Sequence, residues 1–145
     1  MLAVAATSTV HGVKAHLAAG ATLDLLEGTH SGAVVSGTGN VRNGTLADAV
    51  VPVADDSGAG TPVLSFDDGL ALANTLIFDL GRTADNPVAV GASMVVGRYT
   101  GTPTANVRYK MSGTGILGSR AEFTVEGGTI SATIKPPCGT ALIFK

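Results

Sequence analysis

G-A-T-L-D-L-L-E-G-T-H-S-G-A-V-V-S-G-T-G-N-V-R-N-G-T-L, residues Gly20 to Leu46, is the stretch whose reading decides the fold. Short apolar, β-prone pieces at 22–26, 33–36, 40–42 and 45–47 alternate there with Gly, Asn, Ser and Thr, and none is long enough for a helix. Leu23 and Leu25 face one way and Asp24 the other, the two-residue period of a strand. The stretch reads as winding, one or two coils of a parallel β-solenoid.

Outward from it the same texture continues. Residues 2–19 read as strand-like with at most a short turn of helix, because Thr7 to Val10 favour extended backbone and Gly12 weakens a helix. Val50, Val51 and Val53 precede a loop over 54–62, and strands follow at 62–66 and 70–72 with the turn Asp67-Asp68-Gly69 between them. The clearest strand is 75–80, with Leu76, Phe78 and Leu80 on one face. Shorter pieces at 88–90, 94–96 and Tyr99 lead to strands at 105–111, 121–126 and 129–134. Pro136-Pro137 sets off a last strand, 141–144, expected to serve as an edge or cap.

No exact period links these pieces. Pieces of three to five residues in the first half are shorter than sandwich strands of about five or six, which favours a right-handed parallel β-helix or solenoid. Asn43-Gly44 and Asp68-Gly69 are hairpin-type dipeptides, and they keep an antiparallel β-sandwich open, especially in the longer-stranded second half from Leu70.

A chain of 145 residues suits one domain, and 45% hydrophobic against 14% charged residues is too apolar for disorder. A net charge of −2 with scattered cations offers no surface for a phosphate backbone, so nucleic acid is not expected as a partner. The single cysteine, Cys138, forms no internal disulfide and no Cys-based zinc cluster, and reads as a structural thiol. The start, M-L-A-V-A-A-T-S-T-V-H-G-V-K, lacks a basic n-region and is not read as a signal peptide. His11, Gly12 and Lys14 interrupt it well short of a membrane span, so no transmembrane segment is expected. Residues 1–145 are read as one domain, a fragment or C-terminal portion of something longer.

Candidate chemistry is sparse. Asp55-Asp56 and Asp67-Asp68 sit beside Gly as turn formers and lack the ligand spacing of a calcium loop. His11, His16 and His30 have no metal-binding spacing. Gly37-Thr38-Gly39 and Gly113-Thr114-Gly115 open no helix and carry no Lys-Ser/Thr ending, so neither reads as a phosphate loop. One local cluster joins basic and aromatic residues, Arg98, Tyr99, Arg108, Tyr109 and Lys110. Aromatic faces and Arg forks suit sugars and carboxylates, and Tyr99, Arg108 and Tyr109 are the candidate ligand-binding residues. The other reading is the solvated face of two strands, with Arg and Lys stems lying over apolar surface. No catalytic residue, metal or cofactor is expected.

The quoted stretch, G-A-T-L-D-L-L-E-G followed by S-G-A-V-V-S-G-T-G-N-V-R-N-G-T-L, resembles the repeat of large bacterial surface proteins with autotransporter-associated β-strand repeats. V-L-S-F-D-D-G-L-A-L-A-N-T-L-I-F-D-L (63–80), G-A-S-M-V-V-G-R-Y-T-G (91–101) and G-G-T-I-S-A-T-I (127–134) are similar to later segments of that family, so the likeness spans roughly 15–145. It implies a passenger-like right-handed β-helix, exported and displayed at a Gram-negative cell surface or secreted, without catalytic residues. The family's membrane β-barrel is not matched by this chain. Two functions follow. The first is a non-catalytic structural or adhesin-like module that contacts surface glycans or proteins, with end-to-end association of copies allowed. The alternative is a carbohydrate-binding β-sandwich from a polysaccharide-degrading enzyme.

Overall fold

Many of the strands are short apolar pieces bounded by Gly or Asn. The computed structural model describes residues 2–3, 10–11, 14–53, 63–67, 69–102, 104 and 106–137, with backbone alone for those before Lys14, and holds no helix among them. Asp55-Asp56, Asp68, Cys138 and the last strand with its capping role lie outside the described residues.

Among the described residues the strands from Leu2 to Thr114 fall into five similar passes. The first comprises β1 (Leu2–Ala3), β2 (Val10–His11) and β3 (Lys14–Leu17). The second repeats it with β4 (Thr22–Asp24), β5 (Thr29–Ser31) and β6 (Val34–Gly37). Then come β7 (Asn40–Arg42) with β8 (Gly44–Pro52), β9 (Ser65–Phe66) with β10 (Leu70–Arg82), and β11 (Ser93–Tyr99) with β12 (Arg108–Thr114). The chain closes with β13 (Arg120–Glu126) and β14 (Thr129–Lys135).

Each pass puts its first strand in one sheet and the remainder in the other. The first sheet runs β1-β4-β7-β9-β11 in parallel, and the second stacks β2, β5, β8, β10 and β12, also in parallel, with β3 and β6 alongside. Register places like on like. Leu23 pairs with Val41 and Val41 with Phe66, while Val51 pairs with Phe78 and Phe78 with Met111. The inward columns from both sheets form one core, in which Leu23, Val41 and Phe78 are wholly buried. Each such side chain contributes roughly 1.5–3 kcal/mol relative to exposure.

Unequal passes explain why no exact period is visible. Val10 pairs with His30, His30 with Leu46, Leu46 with Leu72, and Thr75 with Arg108, so the offset shortens once and then widens toward the C-terminal passes. The added residues fall between strands, after Pro52 and after Arg82, and the ladders continue on their far side. What repeats is a corner. Gly32, Asp48 and Asn74 stand at corresponding steps of successive passes, with φ of 70°, 52° and 62°, and Asn106, at 65°, takes the same conformation just before β12. Gly, Asn and Asp are the residues that tolerate this left-handed region. Asn74 Nδ2 also donates to Asp48 Oδ2 at 3.2 Å, linking two corners.

Asn43-Gly44 does not make a hairpin. Asn43, at φ 61°, carries the chain from β7 in one sheet to β8 in the other, and Gly69 likewise stands between β9 and β10. Among the described residues, antiparallel pairing is confined to β11-β14-β13, where Gly127 and Gly128, both at positive φ, turn β13 into β14. The fold is therefore all-β, with parallel ladders that become mixed at the C-terminal end.

Several strands differ from their sequence reading. Residues 70–72 and 75–80 merge into the bulged β10, and 94–96 joins Tyr99 in β11. The strand expected at 105–111 begins at Arg108, because left-handed Asn106 breaks the extended backbone before it. Residues 88–90 form no strand, although Val88 is buried and its N–H donates to Thr114 O at 2.8 Å. No helix among the described residues is long and apolar enough to cross a membrane.

Candidate functional site

Tyr99 ends β11 and Tyr109 is the second residue of β12, and the two sheets bring both to one pocket with Phe66, Asp67, Thr102 and Thr104. Thr104 is fixed there, its hydroxyl accepting the Leu72 N–H at 3.1 Å. Burial first, and the neighbouring Tyr99 second, hold the Tyr109 phenol above its ordinary range. The pocket encloses ≈ 20 Å³, room for about one water and far below the few hundred Å³ of a ligand cleft. Arg108 points the other way into solvent, so the three candidate ligand residues do not converge.

Tyr109 also belongs to an aromatic row. Its ring lies 6.4 Å from Phe78 and 5.7 Å from Phe123, which places β13 against β12 through side chains without backbone pairing between them. A groove of ≈ 240 Å³ runs between these strands, lined by Tyr109, Lys110, Met111, Arg120, Ala121 and Phe123. Its charged members are both cations. Among the described residues neither Lys110 nor Arg120 is ion-paired, whereas Lys135 meets Glu122 at 3.6 Å.

Two polar groupings lie elsewhere. Asp24, 6% exposed, accepts the Leu26 N–H at 2.8 Å, Asn43 Nδ2 at 3.1 Å and Arg42 Nε at 3.2 Å. These donors hold its carboxyl below the usual range, the Leu26 amide most and Asn43 next, against an opposing effect of burial. The cluster ties β4 to the corner after β7, which is a structural task. His16 Nδ1 and Ser36 Oγ are 3.0 Å apart, register partners on β3 and β6 beside a depression of ≈ 270 Å³. That is a nucleophile–base separation. However, the Ser36 hydroxyl donates to Ala15 O at 3.4 Å, which leaves the imidazole to donate, and no carboxylate orients it among the described residues. The two lie twenty positions apart, a spacing that gains meaning only once the pass length is known.

His30 is wholly buried in the β2-β5-β8 ladder, and neither ring nitrogen has a hydrogen-bond partner among the described residues. No group of three His, Cys, Asp or Glu residues able to hold a metal occurs among the described residues.

No family, curated protein or solved structure matches the chain. The chemistry points to one face, the C-terminal end of the stacked strands, where the aromatic row, the basic groove and the edge of β12 meet.

Proposed function

We propose that the chain is a non-catalytic structural or adhesin-like module, the coils of a right-handed parallel β-solenoid within an exported bacterial surface protein. One observation carries the reading. The parallel register Leu2, Leu23, Val41, Phe66, Tyr99 continues through successive passes, while the returning strands build an equally parallel second sheet. Such stacking joins backbone to backbone about 4.8 Å apart and turns length into rigidity without needing a site. The sequence likeness to autotransporter-associated repeats is what favours a surface location. The carbohydrate-binding sandwich depends on hairpins at Asn43-Gly44 and Asp68-Gly69, and the first of these dipeptides links two different sheets.

The test uses the gene in its own bacterium, with an epitope tag at the exposed turn around Leu117. Tag removal by protease added to intact cells, or recovery of tagged protein from the medium, is the expected result. A tag found only in the cytosol overturns the surface assignment. Purified chain is expected to show no turnover of acidic or neutral polysaccharides, and turnover abolished by Ser36→Ala would overturn the non-catalytic reading.

A further inference from the structure

The two sheets end differently at the C-terminal side. In the first, β14 lies antiparallel on β11 and β13 on β14, so the last parallel strand is covered. In the second, β12 pairs with β10 along one edge, and no described strand takes the other. The groove of Tyr109, Met111, Ala121 and Phe123 runs beside that edge, rimmed by Lys110 and Arg120, and Arg108 stands exposed at the start of β12. Leu117, 96% exposed, lies in the turn that joins the two groove walls.

We propose that the free edge of β12 and this groove form a strand-docking site for an extended partner peptide that alternates apolar and acidic residues. Backbone pairing with β12 gives affinity, and side chains pointing alternately from the added strand give specificity. The inward set extends the core over Tyr109, Met111 and Phe123. The outward set lies beside Arg108 and Lys110, where carboxylates are favoured as cross-strand neighbours. β12 itself, R-Y-K-M-S-G-T, has no acidic residue. Pairing of two copies through β12 would gather the Arg108 and Lys110 of both on one face without compensation, so charge disfavours a second copy as occupant. The inference rests on strand pairing and does not depend on export or surface display.

The experiment is fluorescence anisotropy with the full chain and two labelled, blocked heptapeptides, Glu-Val-Glu-Val-Glu-Val-Glu and Lys-Val-Lys-Val-Lys-Val-Lys. Saturable binding of the Glu peptide, weakened by salt, and little binding of the Lys peptide are expected. The double variant Lys110→Glu/Arg120→Glu alters only exposed side chains and should retain its thermal midpoint. It is expected to bind the Glu peptide about tenfold more weakly and to prefer the Lys peptide. Binding that ignores the charge reversal overturns the proposal. So does failure to bind at about 1 mM peptide, the result if a second copy or residues 138–145 already fill the groove. A dimer in sedimentation that the Glu peptide does not dissociate overturns it as well.

Discussion

At the scale of the residue, the most informative side chain is the one that does not fit its column. His30 stands between aliphatic neighbours, paired in register with Leu46, which pairs with Leu72. Its imidazole is buried without a partner for either nitrogen, a situation that costs about 1–3 kcal/mol. His30→Leu, similar in volume and able to join the aliphatic column, is therefore expected to raise stability by about 1–2 kcal/mol. Urea unfolding checks this, with a higher midpoint at unchanged slope, and a lower midpoint would show that the imidazole is held by something else. The sequence marks His30 only as lacking metal spacing, because burial of one residue in an alternating piece depends on which register the neighbours adopt. Asp24 is the opposite case, a charge fully provided for. Its folded value lies below its unfolded one, so its contribution is present above the ordinary aspartate range and is lost as pH falls through the folded value. Stability measured from neutral to acid pH should show that loss, and Asp24→Ala should flatten the acid limb while lowering stability at neutral pH.

At the scale of the element, corners decide where strands stop, and two glycines separate the two reasons for it. Gly37, at φ 100°, lies so close to the neighbouring pass that a Cβ would run into the Leu17 backbone, with its N and C at 2.8 Å. Gly20, at φ 82°, has nothing within 4 Å of such an atom. Gly20→Ala is then expected to cost about 1 kcal/mol, for the left-handed backbone alone. Gly37→Ala adds a clash with backbone that cannot rotate away, and is expected to cost about 2–4 kcal/mol. Equal thermal shifts for the two would remove the case for close approach at that corner. Much of this level was legible in advance. The strand at 40–42 and the strand character of the last two described pieces follow from Gly and Asn punctuation and from alternation. The role of Asn43-Gly44 did not follow, because left-handed Asn suits a corner between two sheets as well as a hairpin. The dipeptide that does make a hairpin, Gly127-Gly128, lies between two strictly alternating strands, so its signal was present in the sequence.

At the scale of the whole molecule, stability should be graded along the stack. In a repeat architecture each pass contacts only its neighbours, so a strand paired on both sides opens less readily than one paired on a single side. β8 and β10 lie inside the second sheet, whereas β12 closes it with one edge unpaired among the described residues. The binary pattern reveals two-faced strands, but the sequence has no mark that separates inner from terminal passes. The unequal inserts after Pro52 and Arg82 hide the repeat that would have shown it. The candidate site was half legible for the same reason. Tyr109 was recognisable as an aromatic beside cations, but its true neighbours, Phe78 and Phe123, come from an earlier pass and from the C-terminal hairpin. Amide hydrogen exchange reads the gradient directly. Ladder amides of β8 and β10 around Val51 and Phe78 are expected to exchange slowest, and amides on the open side of β12 fastest among the strands after Lys14. Addition of the Glu-Val peptide should slow exchange in β12 and leave β8 unchanged, since only the terminal strand gains a partner. Uniform protection from β8 to β12 without peptide would mean that the chain opens as a single unit, and that its passes are not independent layers.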